Sequence, residues 1–600
     1  MDTTYTRAPP SLKDLGLDVI ADVSANGLLN FIRKSRRDGQ VKCLGNVLEK
    51  VKDRSLHADM TEKESDLHAI RDYIEDLPKT LFDEYAEAFM ENKTTRKIMD
   101  VCIGTCHKCI NLVLDQIVSD KLTSFASFPM NRYFHRNANA NVLLEKISEC
   151  KNIDTLSVSS YPNTDEKYIS FSRVLQNLNN LTYLYLSPVE GRSFHWAFKA
   201  ICLYCPHIVD LWVMYDGSLC DGEEGIDLLK ECKNLQTLWL LDFSDRYEPS
   251  NAVSRVCVLL KELKKLRTFY HRSMLKAIQE LHDTSFVTDN STTLNLQSLY
   301  SFDDGIDTIL CAVKMCPNIE MLNLKNVTQS LEEVMTSLSK LRLLSLHGSY
   351  VKHCLPHYFH YSSFPCLTVL KLESFRDVDY DFLSACAQTC PSLQVLSLRH
   401  CRIDAIGKLN KPGDRIAAFP CLRKLILTPL SCNSTSFYFD ISSKWEVGTA
   451  LVRYLLSGAN KLKHLHIHLR HHPTIPRYEW FSQDFLDEVL FDEVHPKLLS
   501  LQLINPSDIS LPFVERLINS HTGLHTIAGV RTWPLSAEDI NELRNTHRNI
   551  DVTDNCVCSN PLEWGGYFDH DDGRGNNYIY ISINYCYITF IIFINVFINV

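Results

Sequence analysis

The sequence predicts an α/β solenoid, a curved parallel sheet inside with helices outside, preceded by a separate N-terminal helical segment. Three observations carry this prediction: a short apolar motif recurring along most of the chain, the spacing of its copies, and helix-compatible stretches between them.

A chain of 600 residues exceeds the usual single core, so it must be several domains or one elongated repeat array. The motif decides for the array. It reads apolar-x-x-Leu-x-Leu, usually led by Cys-Pro, Phe-Pro or a Lys pair, and its copies start at Ile153, Leu181, Ile208, Leu235, Leu266, Leu296, Ile319, Leu341, Leu367, Leu393, Leu422, Leu462, Leu498 and Leu524. Most steps between starts fall near the length of one leucine-rich repeat, about 20 to 29 residues. The copies at Leu266, Leu296 and Leu524 are weaker, and the wide steps after Leu422 and Leu462 read as inserted loops. Stretches such as Gly225 to Lys230 and Asp381 to Ala387 suit the helix of each unit. A single unit has too little apolar surface to fold alone, whereas stacked units share one leucine core. The predicted organisation is a helical segment over residues 1–149, the array over 150–546, an acidic polar linker over 547–577 and an apolar tail over 578–600.

Composition narrows the function classes. Apolar content of 45% and charged content of 22% fit a soluble, mostly folded chain. A net charge of -10 gives no global basic field for gripping nucleic acid, so nucleic acid is a poor default partner. Met1 to Ser11 holds no apolar stretch that would serve as a secretory signal, which points to the cytoplasm or nucleus and leaves the 22 cysteines mostly as thiols. Several, in Cys205-Pro206, Cys316-Pro317 and Cys390-Pro391, stand just before a repeat's first apolar residue, where a small apolar side chain packs well. The tail, Tyr578 to Val600, is uncharged and long enough for a bilayer. Asn584, Asn595 and Asn599 are costly in lipid, and Asp569, Asp571 and Asp572 flank it, so a strand-like extension or a gene read-through is favoured over an anchor.

In a short strand alternate residues point to opposite faces, so with the leucines inward the intervening residues stand on the concave face. The early copies place Tyr183, Tyr185, Trp212, Met214, Trp239, Leu241, Tyr270, Tyr300, Phe302 and Met321 there. Aromatic and Met side chains are enriched at interface centres, so this row predicts a protein or peptide ligand; the alternative is that a flanking segment folds over the row. Later copies offer Lys371, Arg399 and Lys424, suited to an acidic partner segment. His464, His466 and His468 alternate outward on one strand, a spacing that metal or pH sensing would use, but no carboxylate or thiol completes a ligand set nearby.

Before the array, Lys13 to Arg36 and Leu77 to Met90 read as helices. The run Ser11-Leu12-Lys13-Asp14-Leu15-Gly16-Leu17-Asp18-Val19-Ile20 resembles the elongin-binding box of ubiquitin-ligase substrate receptors, with Gly16 where that family prefers Cys. Leu77-Pro78-Lys79-Thr80-Leu81-Phe82-Asp83-Glu84-Tyr85 resembles the accompanying cullin box. The two boxes ahead of leucine-rich repeats are similar to the von Hippel-Lindau-box receptors. Read more loosely, the Cys-Pro-led repeats and Leu77-Pro78 resemble F-box repeat proteins. The resemblance implies an adaptor helix contacting elongin through Ser11, Leu12, Leu15 and Ile20, a cullin contact through Leu77, Pro78, Leu81 and Tyr85, and a substrate-selecting subunit that catalyses nothing. On the residues alone, an amphipathic helix packed on the first repeat accounts for the same leucines.

Cys102, Cys106 and Cys109 with His107 suggest zinc, yet Ile98, Cys102, Cys106, Cys109 and Val113 fall on one helical face and read better as a buried stripe. There is no phosphate-binding glycine loop, Gly-x-Ser-x-Gly elbow or His-Glu-x-x-His helix, and no cofactor is implied. The reading is a non-catalytic recognition scaffold, either the receptor of a cullin-RING ligase or a repeat scaffold with no ligase connection.

Overall fold

The computed structural model describes residues 119–554, less 127–145, 216–224, 349–362, 402–418, 430–451, 469–482 and some shorter stretches, together with Asp83, Tyr85, Ala86 and Phe89. The chain forms two compact bodies that divide between residues 277 and 278. The first carries β1 (Ser124–Ala126), β2 (Thr155–Ser159), β3 (Tyr183–Val189), β4 (Asp210–Tyr215), β5 (Thr237–Asp242) and β6 (Thr268–Tyr270). The second carries β7 (Ser298–Ser301), β8 (Met321–Val327), β9 (Leu343–Gly348), β10 (Val369–Glu373), β11 (Val395–Cys401), β12 (Lys424–Pro429), β13 (His464–His468), β14 (Ser500–Ile504), β15 (Thr526–Ala528) and β16 (Asp551–Thr553). In each body every strand pairs in parallel with the next in chain order, and helices such as Ser193–Tyr204, Ala252–Glu262, Tyr380–Thr389 and Leu511–Ser520 fill the connections. This is the predicted α/β solenoid of leucine-rich-repeat type.

Register explains the core. The first leucine within each strand aligns with its counterparts, Phe125, Leu156, Leu184, Leu211, Leu238 and Phe269 in the first body. In the second body the line runs from Leu299 through Leu322, Leu344, Leu370, Leu396, Leu425, Leu465 and Leu501 to Ile527 and Val552. All are buried, as is the apolar residue that starts each motif copy. A side-chain period of two means that a one-residue slip would turn the whole line to the other face, so the leucines fix register as well as stability.

Ahead of most strands one carbonyl accepts two successive N–H groups from the following repeat. The Thr182 carbonyl takes those of Val209 at 2.9 Å and Asp210 at 3.0 Å, and Val209, Gln236, Glu320, Arg342, Thr368, Gln394, Arg423, Lys463 and Leu499 repeat the arrangement. The turn before the motif is equally regular: the Cys205 N–H donates to Ile201 O at 2.7 Å, and Ile208 donates back to Cys205 O at 3.1 Å. Cys150, Cys205, Cys232, Cys316 and Cys390 sit buried at this turn, as the sequence predicts for the Cys-Pro copies. Burial pushes the Cys205 and Cys316 thiols up to about 12, so they are packed as neutral thiols. His521 takes the same place in its repeat, where its Nδ1 accepts from Leu498 N at 3.2 Å and its Nε2 lies 3.2 Å from Leu490 O.

The sheet extends a strand beyond each end of the span marked by the motif, at β1 and β16, where Phe125 and Val552 replace leucine. Asp83 closes the first strand: its carboxylate accepts from Thr123 N at 2.8 Å, from Ser124 N at 3.3 Å and from the Thr123 hydroxyl. At the last strand Arg544 donates to Val552 O at 3.1 Å and to Asp554 at 2.7 Å, from a helix, Ala537–Thr546, started by a Ser536/Asp539 capping box. The predicted helix at Gly225 to Lys230 is a 3-10 helix, Ile226–Glu231, whereas Asp381 to Ala387 lies in the α-helix Tyr380–Thr389.

Gly529 is a point where the backbone requires glycine. Its φ is +84°, and an added Cβ would stand 2.6 Å from Leu503 O, the carbonyl that also accepts from Trp533 Nε1 at 2.7 Å. Gly529→Ala is expected to cost about 1 to 3 kcal/mol, read as a lower urea midpoint of the full chain.

Candidate functional site

The face of the sheet opposite the leucine line is built from the third, fifth and seventh residues of each motif copy. On the fifth position Tyr185, Trp212, Trp239 and Tyr270 lie in register on β3 to β6. Their rings form a ladder: Trp212 and Trp239 stack with centroids 4.3 Å apart and planes 4° apart, and Trp239 and Tyr270 with centroids 4.7 Å apart and planes 11° apart. Those separations match the parallel strand spacing of about 4.8 Å, so neighbouring strands place flat rings at contact distance without rotamer strain. The Tyr185 hydroxyl donates to Met214 Sδ at 3.0 Å.

This ladder corrects the expectation of an open aromatic row. Tyr185 is 0% exposed, Trp212 4%, and Trp239 and Tyr270 5% each; Met214 and Tyr300 are buried as well. Trp239 is stacked on both faces, by Trp212 and by Tyr270, and all four side chains of the row are buried, so the aromatic row in the first body serves as packed interior. Burial raises the Tyr300 phenol above its ordinary range, against a Ser298 hydrogen bond that lowers it. Phe302 lies outside the described residues.

The third position, by contrast, remains accessible. In the second body Met321, Leu343, Val369 and Val395 align on β8 to β11, followed by Lys424 on β12 and His464 on β13. Met321 is 36% exposed, Leu343, Val395, Lys424 and His464 are half-buried, and Val369 is nearly covered. Lys371 and Arg399, also half-buried, lie on β10 and β11, with Glu373 in register with Arg399. The structure therefore brings Lys371, Arg399 and Lys424 onto adjoining strands, as predicted, and adds an apolar lane beside them. In the first body the third position is Tyr183, Asp210, Thr237 and Thr268, all half-buried. Of the lane, sequence reasoning picked out Met321 alone; Leu343 and Val395 were hidden because an aliphatic third residue reads as more core.

His466 is buried beside half-buried His464 and does not stand outward as an open imidazole. Burial, then the charge of Lys424, holds His464 down at about 4 and His466 down at about 3, with His525 and Lys463 adding to the first and His464 and Arg399 to the second. Among the described residues no His, Cys, Asp and Glu side chains are grouped to hold a metal ion, and no helix is long and apolar enough to cross a membrane.

Of the implied adaptor contacts, Ser11, Leu12, Leu15, Ile20, Leu77, Pro78 and Leu81 lie outside the described residues, as do Cys102, Cys106, Cys109 and the apolar tail. Tyr85 is described and buried, its ring stacked on Phe89 at 5.8 Å. An open cullin-facing Tyr85 is thus not what is found; its ring packs one helical turn from Phe89, close in sequence to the Asp83 that closes β1.

No family model matches the chain, and no curated protein matches it in sequence. One similar solved structure is a TLR13–ssRNA13 complex, 16% identical with a TM-score of 0.35, the match covering 64% of this chain and 57% of that one. Another is the Rad7 and Elc1 complex in yeast, 15% identical with a TM-score of 0.40, covering 62% of this chain and 96% of that one. The chain thus spans 57% of the TLR13 chain that it resembles.

Two outcomes test the packed ladder and the neutral histidines. Trp239→Ala is expected to cost about 3 to 5 kcal/mol in urea unfolding and to remove the near-ultraviolet dichroism of the paired indoles. Both imidazoles are neutral in the folded chain near neutral pH but titrate near 6.5 when unfolded, so the unfolded chain binds more protons as pH falls from 6.5 to about 3. Stability is therefore lost over that window, by on the order of a few kcal/mol, and a His464→Gln, His466→Gln double variant is expected to flatten the loss.

Proposed function

We propose that this chain is a non-catalytic recognition scaffold that binds a protein or peptide on the sheet of its second body. The observation that carries the reading is the accessible lane of Met321, Leu343 and Val395 leading to Lys424. Apolar side chains on β8, β9 and β11 leading to a cation on β12 suit an extended segment whose apolar residues precede acidic ones. Lys371 and Arg399 reinforce that preference. The packed ladder of the first body keeps flat rings in register and leaves ligand contact to the outer lane.

The scaffold's wider role, in this reading, is to select substrates for a cullin-RING ubiquitin ligase in the cytoplasm or nucleus. The support is the resemblance of Ser11 to Ile20 and Leu77 to Tyr85 to the adaptor and cullin boxes. A scaffold with no ligase connection is favoured by one observation: Tyr85 is interior.

Two measurements separate these readings. Fluorescence polarisation of a panel of apolar-acidic peptides against the full chain is expected to find a binder that Met321→Asp and Lys424→Glu each weaken about tenfold, equivalent to about 1.4 kcal/mol. Unchanged affinity in both variants would sink the lane. Copurification of elongin and cullin with the full chain, lost in Leu12→Asp while peptide binding persists, supports the ligase role; peptide binding with neither adaptor supports the plain scaffold.

A further inference from the structure

The helix Ser193–Tyr204 and the 3-10 helix Ile226–Glu231 belong to consecutive repeats of the first body, and each brings a thiol to the same place. Cys202 is half-buried on the last turn of the helix. Cys232 is fully buried at the C-cap of the 3-10 helix, its backbone N–H donating to Leu229 O at 2.9 Å. Their sulfurs are 3.8 Å apart, with the Cys232 S–H directed at Cys202 Sγ and the Cys202 S–H directed at Leu228 O at 3.2 Å. A third thiol is near in sequence but turned away: Cys205 Sγ faces Leu175 O, 3.8 Å off, on the side of the preceding repeat.

We infer that Cys202 and Cys232 are a peroxide-responsive thiol pair that closes to a disulfide tying two consecutive repeats together. Cys202 is the sulfur a reagent reaches. Cys232 is kept as a thiol by its hydrogen bond to Cys202 and by burial, which both raise its pKa, so it resolves and does not initiate. Cys202 gives up its proton and its sulfur attacks a hydroperoxide oxygen; the O–O bond breaks, the attacked oxygen stays on sulfur as a sulfenic acid, and the departing oxygen takes up the proton and leaves as water or an alcohol. The Cys232 sulfur then attacks Cys202 sulfur, and the sulfenic oxygen leaves as water with the Cys232 proton. Two thiols are oxidised by two electrons and one peroxide bond is reduced. Closure needs the sulfurs to approach from 3.8 Å to about 2.05 Å. The Cys202 S–H bond to Leu228 O and the Cys232 S–H bond to Cys202 Sγ are given up.

The product would join covalently two repeats that are otherwise held by packing and hydrogen bonds, so separate opening of these two repeats would be suppressed.

The test is peroxide treatment of the full chain, alkylation of remaining thiols and peptide mapping. Loss of two thiols is expected, with a dithiothreitol-reversible peptide joining Cys202 to Cys232 and slower hydrogen exchange in both helices. Cys202→Ser removes the link. Cys232→Ala leaves a Cys202 sulfenic acid that dimedone traps. Cys205→Ala keeps the link. The inference is overturned if folded chain accumulates sulfinic Cys202 while Cys232 stays alkylatable, if Cys205 replaces either partner in the joined peptide, or if Cys232→Ala traps no more dimedone than the parent chain.

Discussion

One carbonyl ahead of most strands, shared by two N–H groups of the following repeat, is the constraint on which the rest of the molecule depends. It fixes where each strand begins relative to the last, and with that start fixed the alternation of side chains does the rest. Leucines fall in line on one face and the intervening residues fall in line on the other. The residue three places before most motif copies is buried and closes the preceding helix against the same point; it is cysteine in five described repeats and leucine or phenylalanine in others. Where His521 replaces it, both ring nitrogens meet backbone groups, so the larger side chain enters the interior with its polar atoms answered.

The fold was legible because the pattern that specifies it is local and repeated. Each Leu-x-Leu fixes two inward residues in a strand, and about a dozen copies leave no competing architecture. The short strands β1 and β16 were missed because each is three residues long and carries Phe125 or Val552 where most strands carry leucine. The 3-10 helix Ile226–Glu231 escaped as well, because an α-helix and a 3-10 helix of six residues present nearly the same apolar spacing.

The candidate site was legible by position and illegible by state. Alternation placed Tyr185, Trp212, Trp239 and Tyr270 correctly on the face opposite the leucines. It carried no information on whether their rings would meet solvent or one another. That depends on the distance between strands, which no single strand encodes. The aliphatic third residues were missed because Leu343 and Val395 add only more hydrophobicity to strands already read as core. The histidines follow the same logic: their spacing was plain, whereas the low basicity of His464 and His466 comes from burial and from Lys424 on the adjoining strand.

A parallel sheet that grows by simple addition presents a practical hazard at its margins, since a free strand invites a foreign one to continue the ladder. Among the described residues the first and last strands are short and chemically quenched in opposite senses. At β1 the Asp83 carboxylate occupies donors of Thr123 and Ser124, while at β16 the Arg544 guanidinium occupies the Val552 acceptor. An incoming chain would have to displace a carboxylate in one case and a guanidinium in the other before forming its first bond, which favours discrete molecules over open-ended fibres.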